Sequence, residues 1–219
     1  MTYGTPQGTG WIEVVCGGMF SGKTEELIRR LRRAQIAKQR VAIFKPVMDD
    51  RYDSDEIVTH DRISIPSVPV RHPREILELG RDAQVLGIDE VQFFDRTIVD
   101  VCQQLARGGT RVIAAGLDTD YCGRPFEPVP ELLAVAEYIT KTHAVCVVCG
   151  NPACRTQRLV RGGDRILVGG IEAYEPRCRR CYEAPEEPEL FAEPAKKLTT
   201  KQPTARKKVA DEDPDRGLL

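Results

Sequence analysis

Three groups of residues in this chain have the types and spacing needed for chemistry. The first is Gly17-Gly18-Met19-Phe20-Ser21-Gly22-Lys23-Thr24, which fits the pattern G-x-x-x-x-G-K-S/T. A loop of this form turns backbone N–H groups and a helix N-terminus toward phosphate oxygens. Its lysine reaches the β- and γ-phosphates, and its hydroxyl helps to hold Mg²⁺. The second is Asp89-Glu90, which closes the apolar run ending at Ile88. A carboxylate at a strand tip beside a phosphate loop can hold Mg²⁺ or its water shell, a role that suits Asp89. The next side chain points another way, which frees Glu90 to deprotonate an attacking hydroxyl or to orient a water. The competing role for either residue is to cap a helix beginning near Gln92.

The third group is Cys146, Cys149, Cys178 and Cys181, two C-x-x-C pairs separated by 28 residues. Four thiolates close a tetrahedral Zn²⁺ site and leave no open coordination position, so the expected zinc is structural. His143 and Cys154 lie nearby but are not needed for a complete ligand set. A redox dithiol is the rival for these pairs, weakened by there being two of them.

These residues need a scaffold, and the patterning around them supplies one. Trp11 to Cys16 has strand character, and Glu25 to Arg33 places its leucines and isoleucine at helical spacing, so the loop lies between a strand and a helix. Further strands are expected at Arg40–Pro46, Ala83–Asp89, Arg111–Gly116 and Glu137–Thr142, with a helix over Arg96–Arg107. Apolar strands alternating with helical patterns predict an α/β fold. Its core is a phosphate-loop parallel sheet with helices on both faces, of the RecA-like nucleotide-binding kind, with ligands at the carboxyl ends of the strands. Asp49 to Arg62 is too charged for a core element and reads as a surface loop.

Near residue 142 the pattern changes to short segments with paired cysteines and Gly-Gly steps. The expected organisation is an arm over residues 1–9, a nucleotide-binding domain over 10–142, a small zinc-ribbon or lasso domain over 143–183, and a disordered tail over 184–219. Between the knuckles, Gln157–Val160 and Arg165–Val168 flank Arg161-Gly162-Gly163-Asp164, a hairpin signal, and Gly169-Gly170 follows. A glycine-rich excursion pinned by metal suits a lid whose backbone holds a planar ligand, with Tyr174 available for packing. An ordinary zinc ribbon is the alternative.

Composition limits the function classes. The 219 residues carry a net charge of −1, and the first 182 hold 24 acidic and 25 basic side chains. That balance argues against a dedicated nucleic-acid binder, which needs a concentrated cationic surface. There is no signal-peptide pattern and no run of about 18 apolar residues, so a cytoplasmic protein with no membrane partner is expected.

Together, the phosphate loop followed by Glu25-Glu26-Leu27, Ile88 to Phe94, Gly116-Leu117-Asp118 and the two knuckles resemble the zinc-containing thymidine kinases of bacteria and animal cytosol. The likeness runs from about Trp11 to Tyr182. It implies ATP as donor with Mg²⁺, thymidine or deoxyuridine as acceptor, and dTMP and ADP as products. Glu90 falls on the family's catalytic base. Gly17 to Thr24 with Asp89, Glu90, Val91 and Gln92 fall on the nucleotide site. The resemblance also implies nucleoside contacts at Phe93, Tyr121, Thr156 and Tyr174 and along the lasso backbone of Arg165, Ile166, Leu167, Val168 and Gly169. Asp49 and Arg51 match a family Asp-x-Arg, and Cys146, Cys149, Cys178 and Cys181 match its zinc ligands. A homotetramer restrained by dTTP follows from the same likeness. The chain departs from the usual pattern at Gly18, where proline is frequent, at Tyr121, where phenylalanine is frequent, and at Cys122-Gly123.

Without the resemblance, the motifs also suit a zinc-ribbon ATPase acting on nucleic acid. That protein would need a basic face interleaved with aromatics, which this composition does not supply. A GTPase switch lacks its Asn-Lys-x-Asp base-recognition motif here.

Overall fold

Residues 12 to 17 alternate between two buried faces, and that alternation builds the whole core. The computed structural model describes residues 9–47, 56–58, 64–160 and 172–184. In it the run becomes β1 (Trp11–Gly17), followed by α1 (Lys23–Ile36), β2 (Val41–Pro46), β3 (Glu56–Val58), β4 (Ser64–Pro66), β5 (Val68–Val70) and α2 (Glu75–Leu79). Then come β6 (Val85–Ile88), a single 3₁₀ turn at Val91–Phe93, α3 (Thr97–Arg107), β7 (Arg111–Leu117), α4 (Val129–Val135) and β8 (Tyr138–Lys141). Four short strands complete the described chain: β9 (Ala144–Val145), β10 (Pro152–Ala153), β11 (Arg155–Arg158) and β12 (Tyr174–Arg177). The described residues fall within one compact unit.

Six strands form one sheet in the order β5-β2-β6-β7-β1-β8, and every neighbouring pair runs parallel. Successive side chains of a strand point to opposite faces. Val15, Ile43, Val85, Ile113 and Ala115 therefore lie on the α1 face with Leu27, Ile28, Leu31 and Ala34. Val14, Phe44, Leu86, Ile88, Val112 and Ala114 lie on the other face, beneath Ile76 of α2, Ile98, Val101 and Leu105 of α3, and Leu132 of α4. A parallel sheet covered on both sides has apolar strands throughout, as the sequence predicts. Strand β7 is inserted between β1, which ends in the phosphate loop, and β6, which ends in Asp89. The loop and the carboxylates thus share the carboxyl edge of the sheet.

Three differences from the sequence expectation have physical causes. Helix α2 has five residues and α4 seven, too short to show a helical period. Pro69 interrupts the apolar pattern of β5, yet a proline is tolerated there because β5 is an edge strand that pairs only with β2 within the sheet. Within the segment expected to be a loop, Glu56–Val58 pairs antiparallel with Ser64–Pro66. Residues 1–8, Asp49, Arg51, Arg165 to Gly169 and the tail from 185 lie outside the described residues.

Glu13 breaks the apolar run of β1 and is 6 % exposed. Its carboxylate accepts hydrogen bonds from Trp11 Nε1 at 2.8 Å, Arg111 Nε at 2.6 Å and Arg30 Nη1 at 2.7 Å. Arg30 also donates to Thr140 Oγ1 at 2.8 Å, tying α1 to β8. Burial pushes the Glu13 carboxyl up, but Arg111, Trp11 and Arg30 together outweigh it and hold the group below its ordinary range.

A folded-state value below the unfolded one means that Glu13 stabilises the fold at neutral pH and that this contribution is lost as pH falls through the folded value. Glu13→Gln is expected to cost about 1–3 kcal/mol at pH 7. In thermal melts, the difference from the unsubstituted chain is expected to narrow as the solution is acidified through the carboxylate range. A constant difference across that range contradicts the assignment.

Candidate nucleotide and acceptor site

The phosphate loop leaves β1 and enters α1 through Gly22, whose φ of 81° lies in the left-handed region that glycine adopts without strain. Glu25 and Glu26 occupy the first turn of α1, where negative charge complements the helix dipole. Lys23 is buried, and its ammonium donates to the Gly18 carbonyl at 2.9 Å across the loop. Ser21 Oγ donates to the same carbonyl at 2.8 Å and lies 2.8 Å from Thr142 Oγ1 at the end of the β8 segment. Thr142 in turn donates to the Cys16 carbonyl at 3.1 Å. The sequence gives no motif for Thr142, whose contact depends on β8 lying beside β1.

Asp89 and Glu90 stand at the tip of β6. Thr24 Oγ1 donates to Asp89 Oδ2 at 3.1 Å, and the Glu90 N–H donates to Asp89 Oδ1 at 3.0 Å. Burial, reinforced by the Glu90 charge, pushes the Asp89 carboxyl upward, against the Glu90 N–H, the Thr24 hydroxyl and the Lys23 ammonium. A hydroxyl and a carboxylate held together in this way are hard oxygen donors that fit Mg²⁺. A cation there would return Asp89 to its charged form. Glu90 is half-buried with φ 52°, a left-handed conformation uncommon for a residue with a Cβ. It adjoins a single 3₁₀ turn rather than an α-helix. Val91 and Gln92 are buried within that turn.

The four knuckle sulfurs all lie within 4.8 Å of one another, with Cys149 and Cys178 at 3.5 Å. Zinc–sulfur bonds of about 2.3 Å in a tetrahedron require sulfurs about 3.8 Å apart, so the cluster fits the metal. Burial pushes the Cys146 thiol up, but N–H groups of Cys178, Cys149 and Val148 outweigh it and bring the thiol down. Cys178 is lowered as well, chiefly by the Cys181 N–H. N–H donors aimed at sulfur favour the thiolate, the form that binds metal.

The knuckles carry the β11–β12 ribbon. Arg155–Arg158 pairs with Tyr174–Arg177, and Arg161 to Val168, which the expected hairpin with Gln157–Val160 involves, lie outside the described residues. Cys178 follows β12 directly and must meet Cys146 and Cys149, which brings Tyr174–Arg177 alongside β11. Thr156 is buried, and its hydroxyl accepts the Met19 N–H at 3.1 Å, so the ribbon bonds the phosphate loop itself. Tyr174 is also buried.

Among the other residues expected to contact the nucleoside, Phe93 meets Phe126 edge-on at 6.0 Å. The Tyr121 ring lies 4.9 Å below the Arg158 guanidinium, and its carbonyl accepts the Tyr182 hydroxyl at 2.6 Å. Arg155 lies 5.9 Å over the Tyr182 ring and donates to the Gly123 carbonyl at 3.4 Å. Asp120 Oδ1 closes the intervening turn by accepting the Cys122 and Arg124 N–H groups at 3.0 and 2.9 Å. Arg155, Arg158 and Tyr182 escape sequence reasoning. The one hint is that Tyr182 directly follows the ligand Cys181.

The structure therefore brings together the phosphate loop, Asp89, Glu90 and Thr156, and it joins Tyr121 to the cysteine cluster through Tyr182. A family model described as thymidine kinase matches residues 10–182. The chain is also 61 % identical over 176 residues to a thymidine kinase of Rhodothermus sp. (strain ITI 518), covering 80 % of this chain and 83 % of that protein.

Metal analysis of the purified chain is expected to return zinc at one ion per chain. Cys178→Ser is expected to lose the zinc and to accelerate amide hydrogen exchange through β11, β12 and the Tyr121–Arg124 turn that Tyr182 holds. Full zinc content in that variant, or unchanged exchange at the turn, contradicts the link.

Proposed function

The chain belongs to the thymidine kinase family, and from that premise we propose that it transfers the γ-phosphoryl group of ATP to the 5′-hydroxyl of thymidine or deoxyuridine. The products are the nucleoside monophosphate and ADP, and the role is pyrimidine salvage for DNA synthesis. The observation that carries this reading is the joining of the phosphate loop to the Asp89-Glu90 pair by the Thr24 hydroxyl. The loop amides from Gly17 to Thr24 bind the donor phosphates, and Lys23 neutralises charge on the transferred group. Val91 and Gln92 border the same site.

Phosphoryl transfer through a loose transition state needs positioning and charge neutralisation more than covalent chemistry. Mg²⁺, when bound by Thr24 and Asp89, supplies further neutralisation of the phosphates. Glu90 accepts the proton of the attacking 5′-hydroxyl. Phe93, Tyr121, Thr156 and Tyr174 line the nucleoside side, with Arg165 to Gly169 supplying backbone contacts to the base and Arg51, of the Asp49-x-Arg51 pair, offsetting charge on the transferred group. The zinc held by Cys146, Cys149, Cys178 and Cys181 is structural. Family resemblance also supports a cytoplasmic homotetramer inhibited by dTTP, which a sizing column and a dTTP titration test.

Glu90→Gln is expected to lower turnover by about 10²–10⁴-fold while ATP affinity stays within about twofold. Near-normal turnover in that variant removes Glu90 as the base. Loss of ATP binding in parallel with turnover points to a role in donor binding instead.

A further inference from the structure

Glu90 has a long side chain on a half-exposed turn, and a base of this kind acts only if something holds its carboxylate in one direction. Its backbone N–H is fixed by Asp89 Oδ1 at 3.0 Å, which sets the start of the side chain but not its end. The end is held by Gln92, whose Nε2 donates to Glu90 Oε2. Gln92 is 3 % exposed, and its other amide atom, Oε1, accepts the Leu117 N–H at 3.0 Å. A backbone N–H only donates, so the amide oxygen must face Leu117 and the NH₂ must face Glu90. The end of β7 thereby dictates which atom of Gln92 meets the carboxylate.

The neighbouring residues make room for this arrangement. A Cβ on Gly116 would stand 2.7 Å from Gln92 Oε1 and 2.7 Å from Val91 Cγ2, so only glycine allows β7 to approach the amide so closely. The 3₁₀ turn places Gln92 two residues beyond Glu90 and, with Glu90 in the left-handed region, brings the two side chains together.

We propose that Gln92 is a positioning residue for the reaction: anchored by Leu117 and given space by Gly116, it aims the Glu90 carboxylate by donating to it. This inference rests on the reading of Glu90 as base and deepens it. The two amide atoms of the buried Gln92 side chain are engaged by Glu90 and by the Leu117 N–H. A misdirected base costs turnover, whereas loss of a donor contact made by Gln92 itself would raise KM for ATP.

Two substitutions separate positioning from support of the fold. Gln92→Glu keeps an oxygen for the Leu117 N–H and replaces the donor facing Glu90 with a second carboxylate. Gln92→Met removes both hydrogen bonds at similar length. Both variants are expected to lose about 10²-fold in kcat, with KM for thymidine and for ATP within about twofold of the unsubstituted enzyme. Gln92→Glu is also expected to melt closer to the unsubstituted enzyme than Gln92→Met does. A kcat within about threefold of normal in Gln92→Glu overturns the proposal, as does a rise in KM for ATP that accounts for the whole loss. If Glu90→Gln is inactive while Gln92→Glu is normal, only the positioning role fails. If Glu90→Gln turns over normally, the assignment of the base fails as well.

Discussion

The hydrogen bond from Thr24 to Asp89 is the interaction on which the site depends. It spans from the first turn of α1 to the tip of β6, across the inserted strand β7. The phosphate loop alone is a cradle for anions, and the carboxylates alone are a pair of buried charges. Their juncture requires β1, β7 and β6 to keep a common register. The parallel register from Trp11 to Gly17 and from Val85 to Ile88 against β7 achieves this, with Ile12 and Leu86 both opposite Val112. The apolar faces of the sheet thus do more than stabilise the fold. They fix where the phosphate loop meets the Asp89-Glu90 pair.

The cysteine module is bound to this core by specific contacts rather than by a large apolar surface. Its own buried cluster is small, containing Ala144, Cys146, Ala153 and Cys178, and a metal held by the four cysteines would add to its stability. Three hydrogen bonds, one of them from Arg155 to the Gly123 carbonyl, join it to the phosphate loop and the Tyr121–Arg124 turn. Thr156 accepts from Met19 in the phosphate loop, and Tyr182 donates to the turn that carries Tyr121. A metal held by the four cysteines would therefore be linked to both the phosphate loop and the Tyr121–Arg124 turn.

Much of this was legible in the sequence because it rests on local pattern. The phosphate loop, the strand-end carboxylates, the paired cysteines and the main strands are written in contiguous residues whose periodicity or spacing has one physical meaning. What was not legible depends on which strands become neighbours. Thr142 reaches Ser21 only because β8 lies against β1, and Gln92 faces Glu90 only because Leu117 claims its oxygen. The pairing of β11 with β12 was not legible for the same reason, since it follows from the convergence of the knuckles, which no local pattern records. Glu90 itself was visible as a carboxylate in the right place, but its left-handed backbone was not, because nothing in its side chain favours that conformation.

The central claim is that these parts form one site in which a donor phosphate loop and a nucleoside acceptor meet at Glu90. The most direct test is to incubate the purified chain with Mg²⁺, thymidine and ATP labelled at the γ-phosphorus, and to follow where the label goes. The account predicts label on the 5′-oxygen of thymidine, formed in equal amount to ADP and dependent on the nucleoside. Label released as inorganic phosphate, with no labelled thymidylate, would contradict it.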